Sequence, residues 1–175
     1  MADDARSFDE FYRATSRRLM HFAYAMTGDL ATAQDLTQDA YMRAWRHWQH
    51  VGGLDRPESW LRLVVTRLAT DRWRRLRVAT RLMPRRSLVT PAPSEDSVLV
   101  AAALRSLPPA QRRAISLYYL LDLSIAEIAT ESNVSQGTVK SWLSRGRKAL
   151  TEILSPEMFE TSSTPGQEQS DAHVR

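Results

Sequence analysis

The chain has no cysteine among its 175 residues, which removes disulfides, thiol nucleophiles and cysteine metal sites together. Its four histidines, His21, His47, His50 and His173, stand at no spacing with carboxylates that would enclose a metal ion. Glycine is sparse, and no glycine-rich loop of the phosphate-cradling kind appears. No apolar run approaches the roughly 18 to 20 residues of a membrane span. The opening MADDARSFDE is acidic where a secretory leader would be basic and then apolar. Strand alternation and internal repeats are also missing. These absences leave little for catalysis to rest on, call for no metal and no cofactor, and make a cytoplasmic protein without membrane insertion the expectation.

What the chain does have is arginine, unevenly placed. From Arg56 to Arg86 ten arginines face only Glu58 and Asp71, and from Arg105 to Thr151 seven basic residues face three acids. Two basic blocks suggest two separate contacts with a polyanion, since each can release counterions from phosphates.

Helical periodicity dominates. Ser7 and Glu10 read as a capping box ahead of Phe8, Phe11, Tyr12, Leu19, Phe22, Ala23 and Met26, with Thr27-Gly28-Asp29 as the stop. A second amphipathic helix starts near Asp29 and carries Leu30, Ala33, Leu36, Ala40, Tyr41, Ala44, Trp45 and Trp48. Pro57 and Glu58 open a third, lined by Trp60, Leu61, Val64, Val65, Leu68 and Ala69 and ending in an arginine run around Trp73. Helical phase points Trp45 and Trp60 inward; Trp73 suits either packing or base stacking, and Trp48 is undecided. These elements predict a helical bundle over residues 6–80. Periodicity fades and proline and serine accumulate over 81–94, a linker. A second helical domain is expected over 95–154, its first helix burying Val98, Leu99, Ala102, Ala103 and Leu107 and its next running from about Pro109 to Leu121. Residues 155–175 read as a disordered tail.

Residues 123–150 form a complete helix-turn-helix pattern. Ser124 and Glu127 make a capping box, and Ser135 caps a second helix with Val139, Leu143, Gly146 and Leu150 on one side. Lys140, Ser141, Ser144, Arg145, Arg147 and Lys148 fall on the other, a face suited to the major groove. Repressors, activators and polymerase specificity subunits all use this motif, so it does not choose among them.

Four stretches together narrow the choice: Gln34-Asp35-Leu36-Thr37-Gln38-Asp39-Ala40-Tyr41 with Arg43-Ala44-Trp45; Pro57-Glu58-Ser59-Trp60-Leu61 with Ala69-Thr70-Asp71 and the arginine run; Leu107-Pro108-Pro109 with Gln111-Arg112-Arg113; and the 123–150 block with Gly137-Thr138-Val139-Lys140-Ser141. In this order they cover residues 8–154 and resemble a small sigma factor of the extracytoplasmic-function group of the sigma-70 family. The resemblance implies an all-α fold of two small helical domains, sigma region 2 and sigma region 4, joined by a flexible linker. It implies a non-enzymatic subunit that binds RNA polymerase core through the largest-subunit coiled coil and the flap, and directs initiation at promoter DNA. An anti-sigma factor is a further partner known among relatives.

By the same resemblance, Asp35, Gln38, Asp39 and Arg43 would dock on core polymerase. Arg62, Thr66, Arg67, Thr70, Arg74 and Arg75 would hold the minus-10 strand, with the loop from Gln49 to Ser59 reading its bases. Arg112, Arg113, Ser135, Gln136, Thr138, Lys140, Ser141, Ser144 and Arg145 would contact the minus-35 duplex. Melting without ATP requires only that the opened strand be bound better than the duplex. Two departures stand out: Trp142 where relatives often carry arginine, and Arg67 where asparagine is frequent.

Overall fold

The computed structural model describes residues 2–79 and 95–155, so the expected linker and all but the first residue of the expected tail lie outside the described residues. Among the described residues the chain forms α1 (Ala2–Thr27), α2 (Leu30–Arg46), α3 (Trp48–Val51), α4 (Pro57–Ala79), α5 (Glu95–Ser106), α6 (Pro109–Leu120), α7 (Ile125–Ser132) and α8 (Gln136–Leu154), and no strand.

α1 begins at Ala2, five residues before the expected capping box. Ser7 is therefore inside the helix, where its hydroxyl donates back to the Asp4 carbonyl at 3.2 Å and accepts from Trp48 Nε1 at 2.9 Å. A serine hydroxyl can serve either a cap or a back-bond, and here the indole partner decides. Gly28 ends α1 with φ +64°, a left-handed conformation that suits glycine. Asp29 then caps α2, its carboxylate accepting from Thr32 N at 2.8 Å. α2 stops at Arg46, and Trp48 belongs to the short α3 that follows.

The first bundle buries Leu19, Phe22, Ala23 and Met26 of α1 against Leu36, Ala40, Tyr41 and Ala44 of α2 and Leu61, Val64, Val65 and Ala69 of α4. The second buries Leu104 and Leu107 with Ala114, Ile115 and Leu117 of α6, Ile128 of α7, and Val139 and Leu143 of α8. The two cores run together into one cluster, because α1 packs on α5 and α6 as well as on α2 and α4. α5 turns a different face inward than its periodicity suggested: Ala101, Ala103, Leu104 and Leu107 are buried, while Val98, Leu99 and Ala102 are exposed. In so continuous an apolar run the packing partners, not the pattern, choose the face.

The helix-turn-helix forms as expected. Ser124 and Glu127 make the reciprocal capping box of α7. Asn133, at φ 52°, terminates that helix, and Ser135 caps α8 by accepting from Thr138 N at 3.1 Å. Asparagine tolerates the left-handed region better than most residues, which makes the sharp turn between the two helices affordable.

Candidate nucleic-acid and polymerase interface

On α8, Ser135, Gln136, Lys140, Ser144 and Arg145 are exposed, and Thr138 and Ser141 are half-buried on the same helix. Val139 and Leu143 point into the core behind them. This is a packed helix presenting hydroxyls, an amide and cations outward. Trp142 lies half-buried against the core at the edge of this face, so its ring is at least partly a packing element. Arg147 reaches back to the Tyr119 hydroxyl at 3.5 Å.

Arg112 and Arg113, expected as flanking phosphate contacts, are placed otherwise. Arg112 is 9% exposed. Its guanidinium donates to three carbonyls, Met26 O at 2.7 Å, Arg105 O at 3.0 Å and Leu107 O at 3.1 Å, tying the end of α1 to the α5–α6 turn. Arg113 is held against Glu131, with Nη2 3.6 Å from the carboxylate. Burial lowers the pKa of both guanidiniums, and Glu131 opposes that fall for Arg113. Sequence spacing put both in a basic block, but helical phase turned them inward, where carbonyls and a carboxylate engage their Nη groups and leave each Nε without a partner among the described residues.

On α4, Arg67, Arg74 and Arg75 are exposed and share the helix with Trp73, which is also largely exposed. The Thr66 and Thr70 hydroxyls donate at 2.8 Å to the carbonyls of Arg62 and Thr66, one turn back. Each can still accept a hydrogen bond from a ligand, since the donated proton leaves the lone pairs in place. Arg62 is not presented to solvent. It lies in an ion pair with Glu131 of α7, Nη2 to Oε2 2.7 Å, the side chains being 12% and 5% exposed. Nε also donates to the same carboxylate, and Nη2 donates to Ser59 Oγ at 2.8 Å.

On α2, Asp35, Gln38 and Arg43 are exposed, and Asp39 is half-buried in an i,i+4 pair with Arg43 at 3.4 Å. Beside them runs a groove of about 650 Å³ lined by Phe8, Tyr12, Met20, Gln34, Gln38, Tyr41, Met42 and Trp45. Trp45, expected in the core, is 48% exposed and meets Phe8 with ring centroids 5.0 Å apart. The ring lines the groove between residues of α1 and α2. Tyr12 and Met42 are exposed nearby. Sequence reading missed this apolar strip; an aromatic next to two acids on one helix face was its only signal. Trp60 is half-buried on the core as expected, and Trp48 is buried with its N–H satisfied by Ser7. Tyr41, at the groove floor, shares a 2.7 Å hydrogen bond with Thr15, and its pKa is pushed up to about 12, chiefly by burial. No group of histidine and carboxylate side chains able to hold a metal is present among the described residues, nor is any helix there long and apolar enough to cross a membrane.

A helix-turn-helix bundle beside a bundle with an arginine-faced helix is the build of a nucleic-acid-binding protein. Comparison with known proteins is specific. Residues 11–79 match Sigma-70 region 2 and residues 97–150 match Sigma-70, region 4. The chain is 35% identical over 170 residues to the ECF RNA polymerase sigma factor SigE of Mycolicibacterium smegmatis, covering 89% of this chain and 65% of that one. It is 32% identical over 158 residues to SigL of Mycobacterium tuberculosis, covering 85% of this chain and 89% of that one. Its fold is similar to that of the sigma factor RpoE of Bartonella quintana, solved with the anti-sigma factor NepR, at TM-score 0.69 and 26% identity over 86% of this chain and 98% of that one. The chain belongs to the extracytoplasmic-function group of the sigma-70 family, the transcription initiation factors that join RNA polymerase core and direct it to promoters.

Proposed function

We propose that the three exposed faces divide the work of initiation. The α2 face of Asp35, Gln38, Asp39 and Arg43, with the apolar strip of Tyr12, Met42 and Trp45 beside it, docks on the largest-subunit coiled coil of core polymerase. Aromatic anchors flanked by charge are what a protein interface needs at its centre and rim. Arg67, Arg74 and Arg75, with Thr66, Thr70 and an uncovered Arg62, hold the opened minus-10 strand. Ser135, Gln136, Thr138, Lys140, Ser141, Ser144 and Arg145 read the minus-35 duplex. Arg112 leaves that set, because its guanidinium is buried and both Nη groups donate to carbonyls inside the molecule. Arg113 keeps at most an indirect part, orienting Glu131 and the end of α7.

The observation that carries this reading is the separation of two exposed cationic faces, one on α4 and one on α8, each on its own bundle. A regulator acting alone needs one DNA face; a promoter-specificity subunit needs two. Cytoplasmic residence follows from the same reading, and an anti-sigma factor is a fitting partner because a relative of similar fold is solved with one. Run-off transcription with purified core polymerase on genomic promoter fragments tests the reading. Defined transcripts that depend on the added chain are expected, and their absence on every fragment would overturn it.

A further inference from the structure

The second bundle carries an apolar groove of about 620 Å³ between α5, α6 and α8, lined by Val100, Leu104, Ile115, Leu120, Leu150 and Leu154. Four large side chains in its walls, Val100, Tyr119, Leu120 and Leu154, are 39% to 51% exposed. Apolar surface gathered in one place in this way marks an interaction site. The groove's lining from α8 begins at Arg147, past Arg145, the last residue of the face proposed for the minus-35 duplex. The chain leaves α8 at the rim of this groove. Ser155, itself part of the lining, is extended at φ −66° and ψ 135°, the conformation that a following proline favours. Its hydroxyl donates to the Thr151 carbonyl at 2.6 Å, which fixes the point of departure.

We infer that this groove is a docking site for the chain's own continuation, Pro156-Glu157-Met158-Phe159-Glu160, with Met158 and Phe159 seated on Leu120, Leu150 and Leu154. Three observations single out this occupant. Between Pro156 and Asp171, Met158 and Phe159 are the only large apolar residues, and they come four residues or fewer after Ser155. At the span of an extended residue Phe159 stands no more than about 14 Å from Ser155, so the pair is held at high effective concentration beside the groove and its seating closes only a short loop. Glu157 and Glu160 flank the pair, and the charged residue in the groove lining is Arg147, whose guanidinium reaches the Tyr119 hydroxyl at 3.5 Å. A thioether and a phenyl ring between two carboxylates therefore match an apolar floor with a cation in its wall. Seated there, the pair guards the groove: a partner helix or a second copy of the chain that uses this face must first displace it.

NMR of the full chain, isotope-labelled and free of partners, tests the inference. The double variant Met158→Ser with Phe159→Ser alters no side chain of either bundle. It should shift the methyl resonances of Val100, Leu120, Leu150 and Leu154 while those of Val64 and Val65 in the first bundle stay in place. Leu120→Ser changes an exposed position and should be mild for the fold. It should release the pair, so that the backbone heteronuclear NOEs of Met158 and Phe159, high in wild type, fall. If Leu120→Ser disturbs the second bundle, the double variant decides the matter alone, because its changes lie beyond α8. Groove methyls unmoved by the double variant overturn the inference. Methyl shifts that depend on Met158 and Phe159 but vanish on dilution would seat the pair in a second copy of the chain, and overturn it as well.

Discussion

Gly146 of α8 sits against Ile115 of α6 so closely that a Cβ on the glycine would fall 2.9 Å from Ile115 Cγ1. The recognition helix is seated on its domain at this point. Gly146→Ala gains about 1 kcal/mol of helix propensity but forces a shift in a buried isoleucine, which costs about 1–3 kcal/mol. A net loss of about 1 kcal/mol is expected, and Gly146→Leu should cost several times more. Denaturant unfolding of the two variants checks the order; an alanine variant more stable than wild type would show that the helix is free to move outward.

Asp39 and Arg43 pair at 3.4 Å on the exposed side of α2. Asp39→Arg reverses one charge of the proposed docking patch and places two cations one turn apart. It should weaken binding to core polymerase at least about tenfold, acting through the interface charge pattern, while thermal stability moves by no more than about 0.5 kcal/mol. The full chain's affinity for duplex promoter DNA should not change. Equal loss of polymerase and DNA binding would point to a damaged fold.

Arg74 and Arg75 extend from the exposed end of α4. If Arg74 meets a strand phosphate, Arg74→Ala in the holoenzyme should weaken open-complex formation on different promoters by similar factors. It should also reduce the slope of log affinity against log salt for single strands by about 0.7. A change confined to one promoter sequence would instead mean that Arg74 reads a base.

Tyr41 carries a pH signature. Its pKa is pushed up from 10.0 to about 12, first by burial, with the Thr15 hydrogen bond working against that rise and Tyr12 and Glu58 adding to it. A raised pKa in the folded state means that the neutral phenol is the stabilised form. The contribution is complete below pH 10 and is lost as pH climbs from 10 toward 12. Tyrosinate absorbance should show one late-titrating phenol that is missing in Tyr41→Phe, and Thr15→Val should delay that titration further.

Local chemistry was the readable part of the sequence. The caps at Ser124 and Ser135, the start of α2 near Asp29 and the stop at Gly28 depend on a few neighbouring residues, and the structure has each of them. Reading failed wherever a side chain's fate depends on a distant partner. Ser7 looked like a cap until Trp48, 41 residues away, took its oxygen. Arg112 and Arg113 looked like phosphate ligands because a run of charge carries no information about which cations turn inward. Trp45 looked buried because helical phase fixes direction but not whether a neighbour arrives to cover the ring. The inter-bundle ion pairs were out of reach for the same reason, spanning 69 to 104 positions.

Arg112 has one guanidinium and belongs to two bundles: it closes the last turn of α1 and the turn that launches α6 at once. Two halves that share a cap cannot melt one after the other without leaving buried donors unmet, so the free chain should unfold as a single calorimetric transition whose enthalpy matches its van't Hoff value. Arg112→Met fills similar space without the donors, and should split that transition into two. A chain read as having two domains is thus expected to melt as one cooperative body.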